Sequence, residues 1–84
     1  MPALRLPKLG LTMTEGTVLE WPIAPGEAFA AGDIIVVVET EKVASEVEAP
    51  GAGRLVRILV PAGETVPVGT ALAEWEPVPE APFA

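Results

Sequence analysis

Apolar runs and alternating stretches follow one another along the whole chain, separated by glycine and proline. Residues 34–38 are a continuous apolar run, and residues 44–49 alternate between smaller or apolar and polar side chains. Both patterns predict β-strands. Between them lie residues 40–43, of which the first three are polar, and this segment predicts a hairpin connection that projects into solvent. Because neither glycine nor asparagine occurs there, we expect a loop longer than two residues, built around a type I turn.

The pattern contains an internal repeat with a spacing of 37 residues. Glycines at the proposed turns carry it, since such positions favour a residue that tolerates positive φ or a tight bend. Gly16, Gly26 and Gly32 recur as Gly53, Gly63 and Gly69. Two copies are too few for a solenoid, so we predict one domain of two similar halves folded against each other.

The strand that follows the first glycine of each copy also repeats. Alternate residues of a strand share a face, so one apolar triplet from each copy is expected to line a common core. The triplets are Leu19, Trp21 and Ile23 in the first copy and Val56, Ile58 and Val60 in the second. Phe29 and Trp75 lie in similar apolar patterns and are interpreted as packing groups.

Lys42 lies at the joint between the copies. We place the end of the first copy near Glu39 and the start of the second near Pro50, so that the lysine hairpin is an addition outside both. Functional groups are often presented on such loops of a rigid β scaffold. Lys42 is also one of only two lysines in a chain without cysteine or histidine. These features favour a residue placed for modification over an ordinary solvated lysine.

Composition argues against several classes of function. Without cysteine, histidine or tyrosine, the chain offers poor material for nucleophilic catalysis, and its carboxylates show no recognisable metal-ligand spacing. A net charge of -7 disfavours nucleic acid. The longest apolar run is far shorter than the roughly 20 residues that span a bilayer, so no membrane insertion is expected. We therefore predict a domain without its own active site on which other proteins act.

A set of short motifs, in order along the chain, resembles one known family. They are LPKLGLTMTEG (6–16), PGE (25–27), GD (32–33), ETEKV (39–43), EAPGAG (48–53) and LVPAGETVPVG (59–69). Over residues 3–76 the chain is similar to lipoyl domains of the biotinyl/lipoyl-attachment family, which occur in the acyltransferase (E2) subunits of 2-oxo acid dehydrogenase complexes. The acetoin dehydrogenase complex is a further possible setting.

The resemblance implies an all-β fold, a flattened barrel of two four-stranded antiparallel sheets related by a pseudo-twofold axis. Lys42 matches the lysine that carries lipoate in amide linkage at a hairpin tip. Glu41 and Val43 stand where the commonest form of the motif has aspartate and alanine. Biotin carrier domains share the fold but have methionine on both sides of the lysine, so biotin is the weaker alternative. An unmodified adaptor barrel is the other.

The resemblance also implies partners. These are a lipoate-attaching enzyme, the decarboxylase (E1), the acyltransferase core (E2) and the dihydrolipoamide dehydrogenase (E3), with the carrier domain itself monomeric. Glu39 and Glu41 beside the lysine are interpreted as recognition residues, although solvated strand-edge charges explain them equally well. Residues Thr12, Met13, Thr14 and Glu15 resemble the surface loop that lies beside the lipoyl hairpin and helps partners to discriminate; a plain connecting loop is the alternative.

Composition changes near the carboxyl end. Residues 77–84 are rich in proline and alanine and predict the start of an extended linker, which leaves residues 1–76 as the attachment domain. No targeting segment is recognised before the first strand. We therefore expect the cytoplasm of a bacterium, or a mitochondrial matrix if a presequence was removed.

Overall fold

The structure is a computed structural model that describes residues 3–8, 13–40 and 43–78. Within these residues the fold has eight strands, which are named here in chain order. They are β1 (Ala3–Arg5), β2 (Glu15–Glu20), β3 (Ala28–Phe29), β4 (Ile34–Thr40), β5 (Val43–Glu48), β6 (Gly53–Ile58), β7 (Thr65–Pro67) and β8 (Ala71–Pro77). Within the described ranges, no helix has the length and apolar character needed to cross a membrane.

The strands form two four-stranded antiparallel sheets. The first has the order β1-β8-β6-β3 and the second has the order β5-β4-β2-β7. Exchanging β1 with β5, β2 with β6, β3 with β7 and β4 with β8 converts one order into the other. This correspondence confirms the predicted all-β fold of two related halves.

The turns repeat in the same way as the strands. Gly26 donates its backbone N–H to the carbonyl of Leu55 at 2.7 Å, and Gly63 donates to Val18 at 2.7 Å. Both glycines have φ above 90°, a backbone conformation that is sterically unfavourable for any residue with a Cβ atom. Gly32 and Gly69 also have positive φ, at 88° and 91°. The turn interpretation is confirmed for these four glycines.

For Gly16 and Gly53 the turn interpretation is wrong, because both lie inside strands. The reason for glycine there is close packing. A Cβ atom added to Gly53 would lie 2.5 Å from Cε3 of Trp75 and 2.7 Å from the carbonyl oxygen of Glu76. Both distances are far shorter than any normal van der Waals contact. Glycine at these positions allows neighbouring strands and side chains to approach.

The predicted core triplets are partly wrong, because each of the two strands contains an irregularity. In β2 the pairing with β4 passes over Leu19, and in β6 the pairing with β8 passes over Val56. An extra residue in one strand reverses the alternation of faces beyond it. The core is therefore lined by Val18 and Leu55 before the irregularity, and Leu19 is 40% exposed.

Beyond the irregularity the predicted faces are confirmed. Val60 is buried, and Trp21, Ile23 and Ile58 pack against the core as partly buried residues. The ring of buried Phe29 lies 5.8 Å from the ring of half-buried Trp75. Both sheets contribute to one continuous core.

The lysine hairpin is not an addition outside the repeat, as the sequence had suggested. Strand β5 occupies in the second sheet the place that β1 occupies in the first, so the second half begins at Val43 rather than near Pro50. Its Val47 and the following Ala49 belong to the buried core. Pattern alone missed this because β1 and β5 lie outside the 37-residue register.

The last described residues belong to the folded domain. Pro77 pairs with Gly53, and Val78 donates its backbone N–H to Ala52 at 3.1 Å. The predicted linker, residues 77–84, therefore overlaps the last strand by one residue, and residues 79–84 lie outside the described residues. The division between domain and linker otherwise stays a prediction.

Trp21→Phe should lower the free energy of unfolding by about 1–2 kcal/mol. The indole Nε1–H of Trp21 donates to the carbonyl of Val60 at 3.0 Å in a part-buried setting, and phenylalanine leaves that carbonyl without this donor. Urea unfolding followed by circular dichroism measures the change. Trp75→Phe is the matched control, since the indole of half-buried Trp75 makes no hydrogen bond within the described part of the chain. Equal losses in both variants would contradict the role of the hydrogen bond.

Glu74 should stabilise the fold at neutral pH and lose this effect in acid. A hydrogen bond from Arg57 lowers the pKa of Glu74 below its ordinary value. The folded pKa is thus below the unfolded pKa, so the contribution is complete above the unfolded value and is lost as pH falls through the folded value. We expect the difference in unfolding free energy between the wild type and Glu74→Gln to shrink in acid. Urea titrations at several pH values, with Glu20→Gln as control, would contradict this if the difference grew.

Candidate functional site

The β4–β5 hairpin leads the chain to Lys42. Its pairing runs from Ile34 opposite Glu48 to Thr40 opposite Val43. Only Glu41 and Lys42 stand between the two strands in sequence, and both lie outside the described residues. The expectation of a loop longer than two residues is wrong, since Thr40 and Val43 themselves pair. Both are β-branched, and β-branched residues favour the pleated strand conformation.

Strand β5 is an edge strand of the second sheet. Val43 is 61% exposed, which is the largest value among the exposed large hydrophobic residues of the described chain. Glu39, Glu46 and Glu48 are exposed as well. The described residues on both sides of Glu41 and Lys42 are thus open to an approaching protein. Glutamates on an edge strand also oppose unwanted pairing with another sheet.

Charge is distributed unequally between the two sheets. All three arginines of the chain lie in the first sheet, at Arg5, Arg54 and Arg57. Two of them pair with glutamates of the neighbouring strand, Arg57 with Glu74 and Arg54 with Glu76. The strands of the second sheet contain five glutamates and no positively charged residue: Glu15, Glu20, Glu39, Glu46 and Glu48. The sheet that contains the lysine hairpin therefore presents an acidic surface.

The segment predicted as a recognition loop divides into different environments. Thr12 lies outside the described residues. Thr14 and Glu15 are exposed, and the carbonyl of Thr14 accepts a hydrogen bond from the backbone of Val68 at 3.0 Å. Met13 is only 5% exposed and belongs to the core, so the interpretation of Met13 as a surface recognition residue is wrong. Its apolar side chain is more stable in the core than in water.

This segment does lie beside the end of the hairpin. A Cβ atom added to Gly16 would lie 3.3 Å from Cδ2 of Leu6, 3.3 Å from Cγ2 of Thr40 and 3.4 Å from Cε of Met13. We name this place, bounded by Leu6, Met13 and Thr40, the Gly16 notch. Sequence reasoning did not predict that these three side chains border Gly16. The only signal was a repeated glycine inside a strand pattern, since such a glycine often marks a place where neighbouring groups approach the backbone closely.

The described residues contain no group of three side chains that could hold a metal ion. The local chemistry consists of carboxylates around a lysine-bearing hairpin. Such an arrangement suits covalent modification of the lysine and recognition through charge.

The chain matches a known protein family and is similar to curated proteins. Residues 2–75 match the family model described as biotin-requiring enzyme, Biotin_lipoyl. The acetyltransferase component of the pyruvate dehydrogenase complex of Zymomonas mobilis is 44% identical over 71 residues, which are 83% of this chain and 16% of the relative. The acetyltransferase component of the acetoin cleaving system of Pseudomonas putida is 47% identical over 70 residues, 83% of this chain and 19% of the relative.

Solved structures agree with the fold. The lipoyl domain of the 2-oxoglutarate dehydrogenase complex from Azotobacter vinelandii superposes with a TM-score of 0.73 at 33% identity, over 89% of this chain and 95% of that domain. A single-chain, multi-domain long-chain acyl-CoA carboxylase superposes with a TM-score of 0.77 at 34% identity, over 95% of this chain and 7% of the carboxylase.

The chain belongs to the biotinyl/lipoyl-attachment family, as a lipoyl domain homologous to the acyltransferase components of 2-oxo acid and acetoin dehydrogenase complexes. It spans less than a fifth of the length of the curated relatives described above.

Proposed function

We propose that Lys42 carries lipoate in amide linkage and that the domain shuttles acyl groups and electrons between the enzymes of a 2-oxo acid or acetoin dehydrogenase complex. One observation carries this proposal. The motif Glu39-Thr40-Glu41-Lys42-Val43 includes the last pair of an antiparallel hairpin, Thr40 and Val43, and Lys42 lies between these two residues in sequence. The paired Thr40 and Val43 hold the chain on both sides of Glu41 and Lys42 to a rigid scaffold.

The surroundings fit such a group. An attaching enzyme must reach the lysine, and the adjacent Val43 and nearby Glu39 are both exposed. A free lysine amine is protonated at neutral pH, so the attaching enzyme has to remove that proton before acylation. Lipoate, when bound, supplies a dithiolane that accepts an acyl group from the decarboxylase, passes it to coenzyme A and is reoxidised by the dihydrolipoamide dehydrogenase.

The protein contributes presentation and recognition. Tethering a reactive group to a domain makes each transfer nearly intramolecular and raises its effective concentration. Glu39, Glu41, Val43, Thr14 and Glu15 are the residues that we propose partners recognise, with Thr12 as a further candidate. The acidic surface of the second sheet favours partners with positively charged approach surfaces, because opposite charge speeds encounter.

Biotin on Lys42, serving carboxyl transfer, is the second candidate. The similarity to an acyl-CoA carboxylase is the observation in its favour, although the lipoyl domain matches the same fold. Glu41 and Val43 beside the lysine favour lipoate, because biotin carrier domains have methionine at both of these positions. An unmodified adaptor barrel is the remaining alternative.

For the longer protein to which such domains belong, we propose a dihydrolipoamide acyltransferase. The two acetyltransferase relatives support this assignment. The domain would then be the carrier and a separate region would hold the acyltransferase core. We propose the bacterial cytoplasm as its location, with the mitochondrial matrix as the alternative.

The test is competitive modification of the purified domain. The domain is incubated in parallel with a lipoate-attaching enzyme and with a biotin-attaching enzyme, each with its acid and ATP. Intact mass reports incorporation, and peptide fragmentation locates it. Lipoyl incorporation at Lys42, without biotin, is the expected result. Biotin at Lys42 would replace the proposal by the carboxylase alternative, and no incorporation by either active enzyme would favour the adaptor.

A further inference from the structure

The Gly16 notch breaks the symmetry between the two halves of the domain. Leu6 and Ala49 occupy equivalent places in the two halves, as their backbone hydrogen bonds show. The carbonyl of Leu6 accepts from the N–H of Gly69 at 2.9 Å, and its N–H donates to the carbonyl of Thr70 at 3.0 Å. In the same way, the carbonyl of Ala49 accepts from Gly32 at 3.0 Å, and its N–H donates to Asp33 at 2.8 Å. Gly16 and Gly53 are the next equivalent pair.

The first half is longer at this place. Ten residues lead from Leu6 to Gly16, but only four lead from Ala49 to Gly53. The six additional residues have no counterpart in the second half. Met13 lies in this longer connection, so the repeating core does not require a side chain at its position.

The two glycines also face different partners. At Gly53 the space is filled by the ring of Trp75 and the backbone of Glu76, and the pairing of β6 with β8 includes Gly53 opposite Pro77. Around Gly16, Leu6, Met13 and Thr40 fill the space. Among the described pairs, the ladder of β2 with β4 begins one step later, at Thr17 opposite Glu39.

Side chains around Gly16 contribute to the support of the end of the lysine hairpin. Thr40 and Val43 close the β4–β5 ladder beyond the last described pair with β2. Val43 is 61% exposed, and the methyl group of Thr40 packs into the Gly16 notch. Buried Met13 borders the same space beside Gly16 as this methyl group and as Leu6, which follows β1 in the other sheet.

We infer that Met13 is a positioning residue, which holds the Thr40–Val43 end of the hairpin through the Gly16 notch and so sets how fast an attaching enzyme can use Lys42. The inference rests on the proposed function of Lys42. Truncating a buried side chain leaves a cavity that its neighbours fill only partly. The hairpin end then samples more orientations, and an enzyme that needs one orientation acts more slowly.

Two measurements on the same variants test this role. The first is kcat/KM for lipoylation by the attaching enzyme, and the second is amide hydrogen exchange at Thr40 and Val43 relative to Val18 and Leu55. Met13→Ala should lower kcat/KM about fivefold or more and speed exchange selectively at the hairpin end. Met13→Leu, which refills the space, should restore both to within about twofold of the wild type.

Phe29→Leu is the control for general loss of stability. Its ring packs against Trp75, and its strand β3 pairs with β6 in the sheet that does not contain the lysine hairpin. The variant should lower stability while leaving kcat/KM for lipoylation and local exchange at Val43 unchanged. If it slows lipoylation as much as Met13→Ala at a similar loss of stability, or if folded Met13→Ala behaves like the wild type, the inference is overturned.

A milder variant covers the case in which Met13→Ala does not fold. Thr40→Ser removes only Cγ2, the atom of Thr40 that lies in the notch. It should speed exchange at Val43, and unchanged exchange would count against the inference. If the wild type accepts no lipoate, the proposed function fails, whereas the exchange measurements still decide whether Met13 positions the hairpin.

Discussion

Lys42→Arg is expected to abolish lipoate incorporation completely. Arginine keeps the positive charge and much of the length of lysine, so recognition by charge is preserved. The guanidinium remains protonated in proteins and cannot serve as the acylated amine. Intact mass after incubation with the attaching enzyme, lipoate and ATP measures the result. Reductive acylation of the domain by a decarboxylase partner should disappear together with it.

The matched control is Lys8→Arg, at the only other lysine of the chain. Lys8 is exposed and lies outside the hairpin. This variant should accept lipoate at a rate within about twofold of the wild type, because arginine keeps the charge of this exposed residue, which belongs to neither strand of the hairpin. If Lys42→Arg still incorporates lipoate and Lys8→Arg does not, the attachment site is Lys8 and the assignment is refuted.

Gly53→Ala should cause the largest loss of stability among the glycine variants. The new methyl group would meet the Trp75 ring at 2.5 Å and the Glu76 carbonyl oxygen at 2.7 Å, and a backbone atom cannot move without disturbing the β6–β8 ladder. Overpacking of this kind should cost about 3 kcal/mol, which for a domain of this size corresponds to a decrease in Tm of roughly 15 °C. Thermal unfolding followed by circular dichroism gives the value.

Two other glycines provide the comparison. Gly51→Ala places its methyl group where no atom lies within 4 Å, so its Tm should change little. The Tm of Gly16→Ala should lie between those of Gly53→Ala and Gly51→Ala. The new methyl group would meet the ends of three side chains at 3.3–3.4 Å, and these can shift slightly. A Gly53→Ala domain as stable as Gly51→Ala would show that the strands separate at little cost.

The sequence was most informative where one residue type is required by local geometry. Gly26 and Gly63 recur because a left-handed backbone at the turn excludes other residues, and this requirement is visible without the fold. The apolar β4 and the alternating β5 were recognised for the same reason, since strand periodicity is local. The motif around Lys42 was equally direct, because the residues that carry the family resemblance there are consecutive in the chain.

The side-chain faces were harder to predict, and Leu19 shows why. Its apolar character and spacing placed it in the core, but the pairing of β2 with β4 passes over it and leaves it 40% exposed. Whether a strand contains an extra residue depends on its partner strand. Periodicity within one strand cannot reveal this.

By itself, the sequence determined the two-halved β fold, four of the six predicted turn glycines and the family to which the chain belongs, because these depend on local backbone geometry and on motifs read in order. Only the tertiary structure decided that β5 belongs to the repeating core, that Met13 is buried and that Leu6, Met13 and Thr40 meet around Gly16. These contacts join residues from different strands and both sheets, and their existence depends on how the halves pack. The support of the lysine hairpin is therefore a property of the assembled fold.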